Sequence, residues 1–447
     1  AQEDQRPPLL RSDVRVWAMQ STTDHVNRCV ERATAEREAM ATALVASRFD
    51  EAIAEAATVE PSLPLAGEVV VIKACFDVAG WTTHAGSAVL ADASPADLDA
   101  PIVAALRSAG AIVLAQTNMT EFAYGALGLN STYGDPTTPL RPGERRVAGG
   151  STSGGAVAVA LGAADFALGS DTSGSIRIPA AFCGVAGFKP SQGRYPTGGM
   201  IPLAASFDAP GFVAPTVEYL RRVDAALVVG DRLPAADRPT SDIHLLVPVD
   251  AISAGATDQI VLDRFAESIG VLASAGVTIT ETELTMLTEA SMAAREGYVI
   301  AVEAYDWHRE LIAEHIDLYD PRVGSRILHG AQVLASDYVA ALRKINDCRR
   351  RYDDALQGVD AILTPTVPIL PPRIAELQTT ASYLAMNTEV LRLTEFANRL
   401  DLPSATLPGS FPDRQPIGLM VTGKRAGDVA LLDLAVMLED ALSSFGA

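Results

Sequence analysis

The sequence predicts an α/β fold: one large domain (1–447) on a central mixed, mostly parallel twisted sheet, with helices covering both faces. Three observations predict it. Segments with helical periodicity alternate with short apolar runs along most of the chain. Of the residues, 48% are hydrophobic and 20% charged, the balance of a large buried core and not of a disordered or coiled-coil chain. No low-complexity linker or internal repeat divides the 447 residues.

Residues 24–57 are rich in Ala, Glu and Arg, lack Gly and Pro, and follow a Thr-Thr-Asp cap, so they read as one or two helices in a peripheral region over 1–60. Pro61, Pro64 and Gly67 break that pattern, and Glu68-Val-Val-Val-Ile-Lys73 reads as a buried strand ending on a lysine. A helix over 96–109 and a strand over Ala111–Ala115 follow. After a Gly-rich turn come a helix of small side chains over 156–162 and a strand over 166–168. The pattern continues with helix 216–229, strand 243–247, helix 257–274 and strand 277–281. Long helices are expected over 288–316 and 334–357, then a strand Ala361–Pro365 running into a Pro-rich stretch that ends at Pro372. Helix 388–400, strand 416–422 and helix 427–443 complete the chain.

Charge and composition exclude several function classes. The net charge of −20 is spread along the chain and no Lys/Arg-rich run occurs, so nothing offers phosphates a basic face. Nucleic acid and anionic membranes are therefore not expected partners, and the substrate is expected to be small and neutral or cationic. Cys29, Cys75, Cys183 and Cys348 are widely scattered without C-x-x-C pairing, and the six histidines show no H-E-x-x-H pattern, so neither a disulfide framework nor a metal site is expected. There is no apolar run of 18 residues and no transmembrane helix is expected. A cytoplasmic location is expected, with a cleaved secretory leader ahead of Ala1 left open. Only four lysines occur, Lys73, Lys189, Lys344 and Lys424, which draws attention to each.

The most unusual stretch is Gly149-Gly-Ser-Thr-Ser-Gly-Gly155 followed by Gly169-Ser-Asp-Thr-Ser-Gly-Ser-Ile-Arg-Ile-Pro179. A pair of flexible turns would be the plain account, but the small-residue helix between them lets the backbone pack closely around both. The chain has no G-x-x-x-x-G-K-[ST], no G-x-G-x-x-G opening a helix, no G-x-S-x-G elbow and no S-x-x-K, and no histidine stands near these loops. Phosphate-binding loops, dinucleotide folds, α/β-hydrolase elbows and penicillin-binding-type serines are thereby set aside.

These segments resemble the amidase signature family of serine hydrolases. The matching pieces are Val69–Lys73 leading to Phe76-Asp77, Thr117-Asn-Met-Thr-Glu-Phe-Ala-Tyr-Gly125, both Gly/Ser loops, Cys183-Gly-Val-Ala-Gly-Phe-Lys-Pro190, Ser206-Phe-Asp208 and Gly211. The dense part covers about 68–215, the expected catalytic core, and Leu363-Thr-Pro-Thr-Val-Pro368 and Pro416-Ile-Gly-Leu extend the likeness into the remainder, 216–447. The resemblance implies the family's fold, Ser175 as nucleophile, Lys73 as base, and a shuttle serine 24 residues before the nucleophile, which is Ser151 and not Ser153. It also implies a cis peptide bond before Ser151, an oxyanion hole of backbone N–H groups at Thr172, Ser173, Gly174 and Ser175, and a cleft lined by Ala123 and Tyr124. Asp171 and Arg177 read as a pair bracing the turn. Two departures stand out: Ala74 where an Asp commonly follows the lysine, and Ser173 where the family commonly has Gly.

The chemistry suits these residues. A serine hydroxyl needs a base, and a lysine serves only when uncharged, a state that burial at the end of an apolar strand favours. No cofactor or metal is called for. The expected function is hydrolysis of a small neutral, apolar or aryl carboxamide, with Tyr298, Tyr305, Trp307 and Tyr383 as candidate pocket residues. A carbamate or urea-type hydrolase would use the same three residues. An A-type subunit of a tRNA-dependent amidotransferase is the alternative of another class. The expected partner is a small amide or carbamate, and a homodimer is left open.

Overall fold

The computed structural model describes residues 21–141, 143–228, 238–409 and 415–444. The first twenty residues of the expected N-terminal region, and position 229 at the end of helix 216–229, lie outside the described residues.

Val69–Lys73 forms a strand buried along its whole length, as a run of β-branched residues should when helices cover both faces. Its alternation is visible in the packing: Val70 and Ile72 enter one apolar cluster, Val69 and Val71 another. The second cluster holds Ala156 to Val159 of the small-residue helix Ser153–Ala160, so alternation turns Lys73 toward that helix. Gly154 lets this helix lie against the end of the helix Arg37–Ala43, because a Cβ there would stand 2.1 Å from the Ala43 carbonyl oxygen.

Among the described residues eleven strands make one sheet. They are β1 (Leu44–Ser47), β2 (Val69–Lys73), β3 (Ile112–Thr117), β4 (Phe166–Asp171), β5 (Ala186–Lys189), β6 (Ala209–Ala214), β7 (His244–Pro248), β8 (Thr278–Thr282), β9 (Ala361–Pro365), β10 (Ser404–Pro408) and β11 (Gly418–Thr422). Their order is β1-β3-β2-β4-β6-β5-β10-β11-β9-β7-β8. Parallel pairing joins β2 to β3 and β4, and β7 to β8 and β9; the other six pairs are antiparallel.

The sheet is thus mixed as expected, but "mostly parallel" needs correcting. The reason lies in four strands that the sequence pattern does not display, β1, β5, β6 and β10. Five of the six antiparallel pairs involve one of them. β1 and β5 have four residues each, and β5, β6 and β10 carry Gly or Pro, which weakens an extended signature.

Other boundaries shift for local reasons. In place of the one or two N-terminal helices expected there are three, Thr22–Ala35, Arg37–Ala43 and Phe49–Ala56, with β1 between the last two. His25 Nε2 lies 2.7 Å from Asp165 Oδ2, which also accepts the Val69 N–H at 2.7 Å, so the first helix is tied to the sheet beside β2. The long helix over 288–316 divides into Met286–Glu296 and Val299–His315, where a Cβ at Gly297 would stand 2.3 Å from the Ala341 Cβ. The expected helix over 388–400 is likewise two, Thr380–Leu391 and Glu395–Arg399. Among the described residues no helix is long and apolar enough to cross a membrane.

Candidate active site

Lys73 leaves the end of β2 fully buried. Its Nζ is 2.7 Å from Ser151 Oγ, 2.8 Å from Ser170 Oγ and 3.2 Å from the Ser170 carbonyl oxygen. It forms no ion pair with a carboxylate among the described residues. Burial drives its pKa below the ordinary 10.5, with the charges of Asp171 and Asp208 acting in the other direction. A lysine that meets only neutral oxygens in a dry setting is one that gives up its proton readily.

The peptide bond between Gly150 and Ser151 is cis. The turn is held from two sides. Thr120 N–H donates to the Ser151 carbonyl at 3.2 Å, and Gly150 N–H donates to the Ala126 carbonyl at 2.7 Å. The segment from Thr120 to Ala126 is therefore laced at both ends to the peptide groups that flank the Gly150–Ser151 bond. Between the two ties lie Phe122 and Ala123, non-glycine residues at φ +48° and +58°, a backbone state that neighbouring contacts must enforce and that gathers at functional sites. Tyr124 follows, half-buried, with the Arg326 guanidinium 4.1 Å over its ring.

Ser175 is brought to Ser151 by the backbone: Thr152 N–H donates to the Ser175 carbonyl at 3.1 Å. The Ser175 side chain makes no hydrogen bond among the described residues. Ser153 opens the helix Ser153–Ala160, and its buried hydroxyl has no partner, whereas Ser151 is in contact with the lysine.

The turn carrying Ser175 is held by a buried ion pair. Arg177 Nε and Nη2 donate to Asp171 Oδ2 and Oδ1 at 3.1 and 2.9 Å, and both side chains are inaccessible to solvent. Asp171 also accepts the N–H of Gly174 at 2.7 Å and of Ile176 at 3.0 Å. Asp171 and Arg177 thus brace the turn, in line with the sequence expectation. Thr172 is anchored by its hydroxyl to Asp208 Oδ1 at 2.6 Å. Gly174 sits at φ +136°, and a Cβ there would stand 2.3 Å from Thr394 Oγ1. Gly174→Ala is expected to abolish activity and lower stability by at least about 2 kcal/mol, measured by turnover and urea unfolding.

One expected oxyanion donor needs correcting. The Gly174 N–H is taken by Asp171 Oδ1. The N–H groups of Thr172, Ser173 and Ser175 have no acceptor among the described residues.

Some participants carry no signal in the sequence. Ser170 holds Lys73 from the adjacent strand, inside the second Gly/Ser segment, where nothing in the pattern separates it from its neighbours. Thr394, Asn398 and Arg399 reach the nucleophile turn from more than two hundred residues away, and no local pattern marks them. The aromatic residues expected to furnish an apolar pocket divide. Tyr298 is exposed with its ring against His329, Tyr305 packs half-buried on the core, and Trp307 packs on Phe122 and His308. Tyr383 is buried beneath the Arg322 guanidinium, its hydroxyl beside Gly125.

Comparison with known proteins identifies the family. The family profile named Amidase matches residues 24–432. The chain is 33% identical over 387 residues to a 2-amino-5-chloromuconic acid deaminase from Comamonas testosteroni, covering 84% of this chain and 82% of that one. It is 33% identical over 418 residues to the glutamyl-tRNA(Gln) amidotransferase A subunit from Natronomonas pharaonis, covering 84% and 96%. A solved amidase superposes with a TM-score of 0.85 at 30% identity, covering 95% of this chain and 97% of the other. The chain belongs to the amidase family and is a hydrolase of carbon–nitrogen bonds.

Proposed function

We propose that the protein hydrolyses a small carboxamide through an acyl-enzyme on Ser175, with Ser151 as proton shuttle and Lys73 as base. The observation that carries this reading is the buried lysine 2.7 Å from the hydroxyl that follows the cis peptide, in a loop hydrogen-bonded to Ser175. Ser175 Oγ attacks the carbonyl carbon as its proton passes to Ser151 and the Ser151 proton to Lys73 Nζ. The N–H groups of Thr172, Ser173 and Ser175 receive the negative oxygen, and losing one such donor costs about 3 kcal/mol. The C–N bond breaks as Ser151 returns a proton to the leaving nitrogen. Water, activated by the same relay, then releases the acid and frees Ser175.

The test is a hydrolysis panel of aryl amides, primary amides and carbamates, with mass spectrometry of the trapped acyl-enzyme. An adduct on the peptide containing Ser175 supports the reading, and an adduct elsewhere overturns it. Carbamate turnover exceeding amide turnover would move the substrate class to urethanes while leaving the three residues in place.

A pH prediction follows from the buried lysine. Only the unprotonated amine accepts a proton, so kcat/KM should rise with pH through the Lys73 pKa, with a midpoint below 10.5. A rate that falls steadily from neutral to alkaline pH would overturn Lys73 as the base.

A second reading rests on the relatives named as A subunits of glutamyl-tRNA(Gln) amidotransferases. Under it, the chain would act in a complex, releasing ammonia from an amide donor. Purification from its native host with a stable partner, and amide hydrolysis that depends on that partner, would favour it.

A further inference from the structure

Three successive carbonyls of the nucleophile turn each accept a hydrogen bond from one distant segment. Asn398 Nδ2 donates to the Asp171 carbonyl at 2.9 Å, Arg399 Nη1 to the Thr172 carbonyl at 2.9 Å, and Thr394 Oγ1 to the Ser173 carbonyl at 2.6 Å. Each carbonyl shares a peptide group with the N–H of the next residue, at Thr172, Ser173 and Gly174. A donor on the oxygen side polarises the peptide and strengthens its N–H, and a charged donor does so most.

From this arrangement we infer that Arg399 is a positioning residue for the oxyanion hole, fixing and polarising the 172–173 peptide so that the Ser173 N–H meets the charge that develops on the substrate oxygen. The inference rests on the reading of Ser175 as nucleophile.

The surroundings of Arg399 support it. The residue is 1% exposed, and a guanidinium is taken out of water only where polar partners hold it. Its second arm donates to Ser173 Oγ at 2.8 Å. Through that bond Ser173 and Arg399 meet across 226 residues. Its charge is balanced by Glu395, 3.4 Å away and 3% exposed, which in turn meets Arg295 at 2.6 Å. Its guanidinium carbon lies 4.4 Å over the Phe207 ring. Stability alone gives little reason for this cation, since well-packed apolar side chains commonly replace buried ion pairs without loss. A fixed positive charge behind an oxyanion donor gives a reason.

The test uses the full chain, the fastest amide of the panel, and the trifluoromethyl ketone built from that amide's acyl group, which forms a tetrahedral oxyanion on a serine. Arg399→Met should lower kcat about 50-fold with KM within about twofold, and should weaken the ketone by the same factor as kcat/KM. Arg399→Lys, keeping a charge and one donor, should recover part of both losses. Ser173→Gly should lose less than Arg399→Met and add nothing to it in the double variant. A folded Arg399→Met with kcat within about threefold of wild type, or a rise in KM at unchanged kcat, overturns the inference. Should Arg399→Met fail to fold, Arg399→Lys and Ser173→Gly both matching wild type in kcat and in ketone affinity overturn it. Turnover that survives Ser175→Ala would instead remove the reading of the nucleophile itself.

Discussion

Ser175→Ala is expected to lower turnover on the order of 10⁵-fold, with the fold intact. The size follows from what the hydroxyl does. Without it no acyl-enzyme forms, and only positioning and oxyanion stabilisation remain to act on a water that has no place prepared for it. Because the relay acts as a unit, Lys73→Met/Ser175→Ala should be no slower than Ser175→Ala alone. Ser151→Ala should also be severely impaired, whereas Ser153→Ala should stay within a few-fold of wild type, since the Ser153 hydroxyl has no partner and Lys73 contacts Ser151. Single-turnover kinetics and labelling by a covalent serine probe measure both points. Retained turnover in Ser175→Ala, or a Ser153→Ala as damaged as Ser151→Ala, would sink this assignment.

Asp171→Asn is expected to be the most destabilising conservative change at the site, by about 3–5 kcal/mol. It leaves the Arg177 guanidinium charged and buried without its counter-charge, and it places an amide where two oxygens now accept five donors. Burial alone would raise the Asp171 carboxyl. The Arg177 charge and hydrogen bonds, with the N–H donor of Ile176, outweigh burial and hold the carboxyl well below the ordinary 3.8. The sign of the linkage follows. Asp171 binds its proton more readily in the unfolded chain, so its contribution is present above pH 3.8 and is lost as the pH falls through the lower folded value. Urea unfolding at neutral pH should show a lower midpoint at unchanged slope, and the gap between wild type and Asp171→Asn should narrow in acid. A shift below about 1 kcal/mol at neutral pH would mean that the pair does not hold the turn.

What the sequence displays and what it conceals follow from the range of the interactions. Lys73, Ser151 and Ser175 lie within about a hundred residues, in a strand end and two glycine-rich loops whose composition has no counterpart elsewhere in the chain. Asp171 and Arg177 are legible for the same reason, being six residues apart around the nucleophile. The donor at Gly174 is not, because the choice between substrate and Asp171 Oδ1 is made by the backbone at φ +136°, which no residue pattern reports. Thr394, Asn398 and Arg399 are invisible because their partners are main-chain oxygens on another part of the fold. Among the strands, β2, β3, β4, β7, β9 and β11 announce themselves through apolar runs, and β8 through the alternation Val277-Thr-Ile-Thr. β1, β5, β6 and β10 do not, being short or interrupted by Gly and Pro, and the antiparallel share of the sheet is hidden with them.

The double lacing of residues 120–126 onto the peptides either side of the Gly150–Ser151 bond limits how this part of the chain can vary. Ala123 and Tyr124 are riveted to the loop that carries Ser151, so adding or removing a residue between Thr120 and Ala126 is expected to pull the Ser151 hydroxyl off Lys73. On that segment, change is expected through exchange of side chains at fixed backbone positions. Insertions and deletions belong farther out on the rim, where nothing is fastened to the chemistry.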